Sequence, residues 1–399
     1  MSTDPFDVAN DRPGTKAVHG DHHARDGSIV PPIVQATTFA ASTSEQFLDA
    51  ANRSFTDEFY TRYGNPNHSQ VAEVVAVLEG AERAIVTASG MGAISTLALS
   101  FLEPGDHLVV QRTMYPGTAS LVTGLLARFG VTSSVIEQSD PSSLERVVTD
   151  RTRLVLLETP SNPLLAITDL RHCAELAHAR GALVVVDNTV ATPINQLPIA
   201  LGADLVWHSA TKYLSGHSDV SAGVIAGRAD LVEAIWRTHL TLGSVLGPFD
   251  AWLLLRGIRT LDVRVARHNE SAQALATALA DNPEVVAVYY PGLETHPQHD
   301  LARSQMSGFG GLLSFTPAGG GDRAERLLDS LRLTTRAASL GSVHSIATRP
   351  SAMWSNQPAY DAQQTSAADE GLIRLSVGIE STEDLIEDFE AALKTSSRG

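Results

Sequence analysis

Helical patterns and short apolar runs alternate along this chain from Asn67 to about residue 227. Some segments repeat apolar residues at the spacing of one helix face: SQVAEVVAVLEG, MGAISTLALSFL, TASLVTGLLARFG and LRHCAELAHARG. Between and after them lie apolar runs that predict strands: RAIVTAS, PGDHLVVQ, RLVLLETP, ALVVVDNT, ADLVWHSA and AGVIAG. Continuous apolar strands separated by helices are typical of a largely parallel sheet covered by helices on both faces. The predicted fold class is therefore α/β.

The pattern changes after the long helical stretch RGIRTLDVRVARHNESAQALATALAD. Strands are predicted at VVAVYYPG, GGLLSFTP and LIRLSVGIE, with helices near 321–331 and 383–394. This favours a smaller α+β domain over residues 257–399, after a large domain over 61–256. Residues 1–60 have little periodicity, and PPIVQATTFA is predicted to be extended. We expect this N-terminal arm to lie on another surface, and a partner subunit is one candidate.

Composition excludes some classes of protein. Lys and Arg number 29 against 45 Asp and Glu, so the net charge is -16. Such a field repels phosphates, which disfavours a general role on nucleic acid or anionic membrane. The amino terminus is polar, and no stretch of about 18 apolar residues would span a membrane. Cys173 is the only cysteine and is predicted to pack in the core, so a cytoplasmic location is expected.

Three of the predicted strands terminate at a polar residue, two at a carboxylate and one at a serine. Glu158, Asp187 and Ser209 close the runs RLVLL, VVV and ADLVWH. In open parallel sheets, ligands sit beyond the carboxyl ends of the strands. The loop ASGMGA, with Gly90 and Gly92, opens a helix. Its amides could bind a phosphate, or the glycines could simply form a tight turn, and the sequence leaves both open.

A lysine directly follows two hydroxyl residues close to these strand ends. Ser209 and Thr211 precede Lys212 in the run SATK, and Asp187 lies 25 positions upstream. A solitary SxTK motif usually marks a solvent-exposed lysine. Hydroxyls, a glycine-rich helix start and a neighbouring acid together indicate a phosphate site next to a carboxylate. A desolvated lysine forms a Schiff base, and an acid pairs with a protonated pyridine nitrogen. The combination predicts a pyridoxal 5′-phosphate (PLP) site.

Motifs along nearly the whole chain resemble those of the Cys/Met-metabolism family of PLP enzymes, which includes cystathionine γ-synthase, cystathionine γ-lyase and methionine γ-lyase. The matching segments are PPIVQATTF, YTRYGNP, ASGMGAI, LLETPSNP, VVVDNT, ADLVWHSATKYLSGHSD, LLLRGIRTL, YPGL, AASLGSVHS and LIRLSVGIE. The resemblance implies the fold-type I PLP-dependent transferase architecture, with a mostly parallel sheet sandwiched by helices. It also implies an amino-acid substrate, PLP as cofactor, no metal, and a homotetramer built from dimers that share active sites.

The resemblance assigns roles to residues that match the family motifs. Lys212 corresponds to the Schiff-base lysine and Asp187 to the partner of the pyridine nitrogen. Tyr115 is expected to stack on the cofactor ring and to exchange protons with the leaving group. The phosphate is expected to be bound by the amides of Gly90 and Met91, by the hydroxyls of Ser209 and Thr211, and by Tyr60 and Arg62 from the neighbouring subunit.

Three further residues are expected to bind the substrate. Asn162 resembles the residue near the phenolic oxygen of the cofactor and the substrate carboxylate. Arg374 would hold that carboxylate bidentately, with Ser339 assisting. Taken alone, a strand arginine more often lies in a surface salt bridge. Its place in the motif LIRLSVG supports the functional interpretation.

The chain departs from its relatives at positions that recognise the distal part of the substrate. Cystathionine-handling relatives typically have an arginine and a glutamate where this chain has Ser120 and Ala338. Loss of both charges favours a small thioether such as methionine. Methionine γ-lyases usually have a cysteine at the position of Gly117, and MWSNQP replaces the family's threonine-histidine pair. MWSNQP lies in SAMWSNQPAYDAQQTSAADEG, which is predicted to form a long loop near a site.

The expected function is PLP-dependent γ-elimination on a sulfur amino acid, with methionine as the substrate. The alternatives are a cystathionine γ-lyase, or a γ-replacement enzyme of the cystathionine γ-synthase or O-acylhomoserine sulfhydrylase type. Specialised metabolism that uses the same γ-chemistry stays open. A regulatory protein on an inactive scaffold is disfavoured, because Lys212, Asp187, Tyr115 and Arg374 are all present.

Overall fold

The computed structural model describes residues 8–21, 28–140, 142–354 and 370–397. The strands in chain order are β1 Arg83–Thr87, β2 His107–Gln111, β3 Thr132–Ile136, β4 Thr152–Glu158, β5 Leu183–Asp187, β6 Leu205–Ser209, β7 Gly223–Gly227, β8 Val285–Tyr289, β9 Leu312–Pro317, β10 Thr335–Arg336, β11 Ile346–Thr348 and β12 Ile373–Ser376. The α-helices are α1 Pro13–His19, α2 Ser44–Asn52, α3 Pro66–Glu79, α4 Gly90–Phe101, α5 Pro116–Ser120, α6 Ser143–Val147, α7 Leu170–His178, α8 Thr192–Asn195, α9 Ala229–Leu242, α10 Pro248–Ile258, α11 Leu261–Ala280, α12 His299–Gln305, α13 Gly320–Ser330, α14 Pro350–Met353 and α15 Thr382–Ser396. A π-helical segment, Leu121–Leu126, follows α5 directly, and a 3₁₀ turn covers Ile199–Leu201.

The chain divides into two compact units. Unit 1 comprises Met1–Leu102 and Leu197–Asp262, and unit 2 comprises Glu103–Gln196 and Val263–Gly399. The domain bounds given above for residues 61–256 and 257–399 stay a prediction.

Unit 1 contains three antiparallel strands in the order β1, β7, β6. Helix α3 begins at Pro66, where the Asn65 side chain accepts a hydrogen bond from the amide of Asn67, and it ends at Gly80 in the left-handed conformation. Its buried face repeats every three or four residues, at Val71, Val74, Val75 and Leu78. This spacing explains why SQVAEVVAVLEG folds as a helix against the strands.

The part of the arm that the structure describes is tied to helix α10 and the residue after it. The Trp252 indole nitrogen donates to the carbonyl of Pro31 at 2.9 Å. The Arg259 guanidinium binds both carboxylate oxygens of Asp21 at 2.6 and 2.7 Å. Residues 31–40 contain no helix, as predicted for PPIVQATTFA, although α1 and α2 lie in the arm as well. Residues 1–7 and 22–27 of the predicted arm lie outside the described residues.

Unit 2 contains a parallel group of strands and a second sheet. The parallel strands lie in the order β5, β4, β2, β3, and the register between β2 and β4 shifts at His107 and Leu108. The second sheet has the order β10, β11, β12, β9, β8 and is mostly antiparallel. Its core is formed by buried residues of the sheet and of helices α11, α13 and α15, among them Leu275, Phe315, Leu327, Leu375 and Phe389.

The parallel strands of unit 2 confirm the α/β prediction, and Cys173 is buried as predicted. Two details differ from the sequence prediction. The apolar run AGVIAG forms β7, which is antiparallel to both of its neighbours in unit 1. The long helical stretch after residue 256 is two helices, because α10 ends at Ile258 and α11 begins at Leu261.

Within the ranges that the structure describes, no helix has the length and apolar character needed to cross a bilayer.

Three buried histidines make the stability of the fold depend on pH. Burial lowers the pKa of His68, His239 and His268 to about 4 in each case. Above pH 6.5 they are neutral in both the folded and the unfolded chain. As the pH falls from 6.5 to 4, these histidines become protonated in the unfolded chain while they stay neutral in the folded chain. The free energy of unfolding therefore decreases across this window. We therefore expect the free energy of unfolding to fall steeply between pH 6.5 and 4.

His68→Gln should reduce this acid sensitivity. The His68 ring nitrogen Nε2 lies 2.7 Å from the carbonyl of Leu246, and a glutamine amide can donate a similar bond without titrating. One buried histidine with this pKa contributes roughly 3 kcal/mol of the loss across the window. Urea unfolding at several pH values measures the effect, with His178→Gln, at an exposed histidine, as the control. An unchanged acid dependence in His68→Gln would refute this explanation.

Candidate active site

The start of helix α4 in unit 1 has the form of an anion site. Ser89 caps the helix, since its hydroxyl accepts a hydrogen bond from the amide of Gly92 at 3.0 Å. The preceding amides of the first turn, Gly90 and Met91, have no acceptor within the helix, which is the general condition at a helix start. Amides in this position bind phosphate oxygens, and the helix dipole favours a negative charge there.

Gly90 packs directly on the end of strand β6. A Cβ atom added at Gly90 would lie 2.7 Å from the Cβ of Ser209 and 2.9 Å from its hydroxyl oxygen. Only glycine permits this close approach, which agrees with a tight turn at Gly90. The sequence left open whether the loop is a tight turn or an anion site, and the structure is compatible with both at once. The structure thus brings two residues of the predicted phosphate site together, Gly90 and Ser209.

Lys212 lies in a turn that begins at the end of β6. Its amide donates to the carbonyl of Ser209 at 3.0 Å, and its carbonyl accepts from Gly216 at 2.8 Å. The next two side chains, Tyr213 and Leu214, are buried and anchor the turn, whereas Lys212 itself is half-buried. Anchored on both sides, the lysine has a fixed backbone from which its side chain extends.

The hydroxyl of Thr211 is already used by the backbone. It donates to the carbonyl of Ala222 at 3.2 Å and accepts from the amide of Ala222 at 3.0 Å. These bonds hold the lysine turn against the chain that leads into β7. To bind a phosphate, the Thr211 hydrogen would have to turn away from Ala222. Its predicted contact with the phosphate stays a prediction.

Tyr60 and Arg62 lie at the end of the arm. The Arg62 guanidinium carbon is 5.6 Å from the ring centre of Tyr60 and 5.4 Å from that of Tyr63. Arg62 also donates to the carbonyl of Leu240, at the end of α9, at 2.8 Å. Tyr60 is 37% exposed. Tyr60 therefore lies at the surface of unit 1, with the Arg62 cation close to its ring and to that of Tyr63.

In unit 2, the ends of β4 and β5 place two carboxyl groups side by side. Glu158 is in register with Asp187 as the last residue of each strand. Asp187 is mostly buried, and its Oδ1 accepts the amide of Thr189 at 3.0 Å. The position at a parallel strand end agrees with the rule that predicted it.

Tyr115 is held by its backbone while its side chain stays accessible. Its amide donates to Oε2 of Glu158 at 2.7 Å, and it caps α5, whose first residue is Pro116. The Tyr115 residue is 43% exposed. A fixed backbone and an exposed phenol ring suit a residue that stacks on a ligand.

Arg374 is assembled with the other two predicted substrate residues. From β12, its guanidinium donates to the side-chain oxygen of Asn162 at 3.4 Å and to the carbonyl of Ser339 at 2.9 Å. Ser339 has a φ of 88°, which is unusual for a residue with a side chain and directs this carbonyl. The guanidinium also lies 5.9 Å from the ring centre of Trp354. Arg374 is only 3% exposed, so it is a buried cation bonded here to neutral oxygens.

The positions that depart from the relatives carry no charge. Ser120 ends α5 and is half-buried, Gly117 lies within α5, and Ala338 is exposed next to Ser339. Of the predicted loop around MWSNQP, residues 355–369 lie outside the described residues.

Glu158 is the residue whose hydrogen bonds in the site the sequence did not reveal. The strand-end rule indicated its position, but not its bonds. Its Oε1 accepts the amide of Asn162 at 2.9 Å, in addition to the bond from Tyr115. Both donors are backbone N–H groups. Because every residue except proline has such a group, the sequence does not show which acceptor each one binds.

Each unit, taken by itself, carries groups that suit one part of PLP. Helix-start amides and a serine hydroxyl in unit 1 are phosphate donors, and a buried carboxylate such as Asp187 in unit 2 suits a protonated ring nitrogen. Both sets of groups are compatible with the class of PLP-dependent enzymes. The family model described as Cys/Met metabolism PLP-dependent enzyme matches residues 14–394. The chain belongs to this family and, as a member, depends on PLP.

Relatives of several activities are similar along nearly the full length. L-methionine gamma-lyase of Pseudomonas putida is 41% identical over 98% of this chain and 99% of its own. Cystathionine gamma-lyase of Bacillus subtilis is 39% identical over 95% of this chain and 98% of its own. The crystal structure of cystathionine gamma synthase from Xanthomonas oryzae pv. oryzae in complex with cystathionine has a TM-score of 0.91, with 41% identity over 97% of this chain and 98% of its own. These matches confirm the predicted family and fold type.

Proposed function

We propose that this chain cleaves methionine by α,γ-elimination, giving 2-oxobutanoate, ammonia and methanethiol. The observation that carries the proposal is the buried group of Arg374, Asn162 and Ser339, which provides a cation and an amide for the carboxylate of an amino acid. The uncharged Ser120 and Ala338 then favour a small apolar thioether as the distal part of the substrate. The similarity to methionine gamma-lyases supports the same substrate.

In the proposed mechanism, each role falls to a named side chain. PLP, when bound, supplies an electron sink for the negative charge that develops at Cα. Arg374 and Asn162 hold the substrate carboxylate, which orients the Cα–H bond. The amine of Lys212 takes the Cα proton, and the Asp187 carboxylate keeps a proton on the pyridine nitrogen. A proton must also leave Cβ before the Cγ–S bond breaks, and the Tyr115 phenol gives a proton to the departing sulfur. One water is then consumed as the remaining four-carbon unit is hydrolysed to 2-oxobutanoate and ammonia.

We further propose a homotetramer of dimers that share active sites and work in the cytoplasm. Large apolar side chains in the arm are exposed in the single chain, with Ile29 at 98% and Leu48 at 58%. Burying these side chains against a partner subunit would be favourable. Tyr60 and Arg62 lie at the end of this arm. The single cysteine, Cys173, is compatible with a reducing compartment.

Steady-state kinetics test the substrate. We expect kcat/KM for methionine to exceed kcat/KM for cystathionine, because binding cystathionine would desolvate a distal ammonium and carboxylate. An unpaired buried charge costs several kcal/mol, whereas a methylthio group contributes roughly 0.8 kcal/mol for each buried CH₂-sized unit. The double variant Ser120→Arg with Ala338→Glu should shift the ratio towards cystathionine.

Two results would contradict the methionine assignment. One is a clear preference of the wild-type chain for cystathionine. The other is activity only with an acylated homoserine and a thiol, which would establish γ-replacement. This second candidate function is favoured by the similarity to cystathionine gamma synthase from Xanthomonas oryzae pv. oryzae. Assaying methionine, cystathionine, homocysteine and acylated homoserines side by side separates these outcomes.

A further inference from the structure

One buried carboxyl group in unit 2 connects two predicted site residues through their backbone. The two oxygens of Glu158 are divided between them: Oε2 accepts the amide of Tyr115 at 2.7 Å, and Oε1 accepts the amide of Asn162 at 2.9 Å. The two amides lie 43 and 4 residues from Glu158 along the chain. A single side chain therefore fixes the spacing between two loops that follow different strands.

The Glu158 backbone is itself fixed. It lies at the end of β4, in register with Asp187 on β5, and its amide donates to the side-chain oxygen of Gln111 at the end of β2. Gln111 in turn donates to the hydroxyl of Thr168. The carboxyl group thus extends from a rigid position on three adjacent strands, so movement of its oxygens is restricted.

The residues that Glu158 holds are those on which the proposed function depends. Tyr115 is expected to stack on the cofactor, and the side chain of Asn162 is bonded to Arg374 at 3.4 Å. A shift in the Asn162 backbone would therefore alter the carboxylate-binding group as well. Errors of about 1 Å in such positions reduce rates strongly.

Burying an ionised carboxyl group at the position of Glu158 is unfavourable in free energy. Burial, and then the negative charge of Asp187, raise the pKa of Glu158 to about 8, while the bonds from Tyr115 and Asn162 act in the opposite direction. A leucine or methionine would avoid this cost if the position only filled space. The two amide bonds are what a carboxyl group adds.

We propose that Glu158 is a positioning residue, an inference that rests on the proposed function. Its carboxyl group holds the backbone of Tyr115 and Asn162 so that the cofactor-stacking ring and the carboxylate-binding amide keep a fixed arrangement beside Asp187. Glu158 acts through these two residues and need not touch the substrate.

Glu158→Gln tests this inference, because an amide nitrogen cannot accept a hydrogen bond and one backbone amide must lose its acceptor. The matched control is Asp388→Asn. Asp388 is also buried in unit 2 and accepts two backbone amides, those of Arg332 and Leu333, at 2.9 to 3.1 Å. Each variant replaces one oxygen of a buried carboxyl group with an amide nitrogen. In Glu158→Gln this leaves one of the two site amides without its acceptor, whereas in Asp388→Asn the remaining oxygen can still accept from both Arg332 and Leu333, away from the site.

The measured quantities are the Kd of the apoprotein for PLP and the Kd of the loaded enzyme for glycine, both from visible absorbance. Glycine has the carboxylate and no γ-substituent, so these readouts do not depend on methionine being the substrate. We expect Glu158→Gln to weaken both affinities about tenfold or more, and Asp388→Asn to change neither by more than about twofold. Equal effects of the two variants, or unchanged affinities in Glu158→Gln, would overturn the proposal.

Hydrogen exchange of the wild-type protein gives a test that does not require the variant to fold. The amides of Tyr115 and Asn162 should be strongly protected in the apoprotein, because each donates to a buried carboxyl oxygen. Rapid exchange of either amide would contradict the proposed role. Failure of methionine cleavage alone would leave both tests valid and would count only against the proposed substrate.

Discussion

Lys212→Ala is expected to abolish turnover and to leave PLP bound only non-covalently. In the proposed mechanism, the substitution removes both the amine that binds the cofactor covalently and the base that takes the Cα proton. General-base catalysis alone accounts for roughly a 10²- to 10⁴-fold effect, and the loss of the covalent function adds to it. The residual activity should therefore fall by about a thousandfold or more. Steady-state rates, together with loss of borohydride-fixed cofactor, measure this.

The composition of the chain makes this experiment unusually clear. The sequence contains three lysines, Lys16, Lys212 and Lys394. Lys16 lies in α1, and Lys394 is exposed in the last turn of α15. Lys16→Ala and Lys394→Ala should keep the yellow colour and the activity. Borohydride reduction followed by peptide mapping should label the Lys212 peptide, and label on either of the other two would disprove the assignment.

The parts of the structure that the sequence predicted well are those that follow from local pattern. The strand-end rule placed Glu158 and Asp187 correctly, because both close apolar runs that form parallel strands. Strand direction was harder to predict. The run AGVIAG is as apolar as its parallel counterparts, and its antiparallel pairing as β7 depends on the chain path and not on composition.

The geometry around Arg374 depends on contacts that no spacing encodes. Asn162, Ser339 and Arg374 are far apart in sequence, and only the resemblance to the family grouped them before the structure did. The left-handed backbone of Ser339 is not marked by a glycine. The hydrogen bonds of Glu158 could not be predicted for a different reason. Their donors are backbone amides, which are present at almost every residue and therefore leave no signal in the sequence.

Mixing two inactive variants should restore activity if the active sites are shared between subunits. Arg62→Ala removes the cation expected to reach the partner's phosphate, and Lys212→Ala removes the lysine. In a mixed dimer, one site combines the intact Lys212 of one subunit with the intact Arg62 of the other, while the second site carries both substitutions. Random mixing makes half of the dimers mixed, so about a quarter of the wild-type activity is expected.

The appropriate control combines two substitutions at residues that the same subunit is expected to supply to a site. Asp187→Ala and Lys212→Ala should not complement, since each site of the mixed dimer then lacks one of the two residues. If Arg62 instead serves its own subunit, the Arg62→Ala mixture will behave in the same way as this control. With subunit exchange verified by differently tagged chains, absence of recovery in the Arg62→Ala mixture would therefore place Arg62 in the site of its own chain. Recovery only in that mixture would place it in the site of the partner.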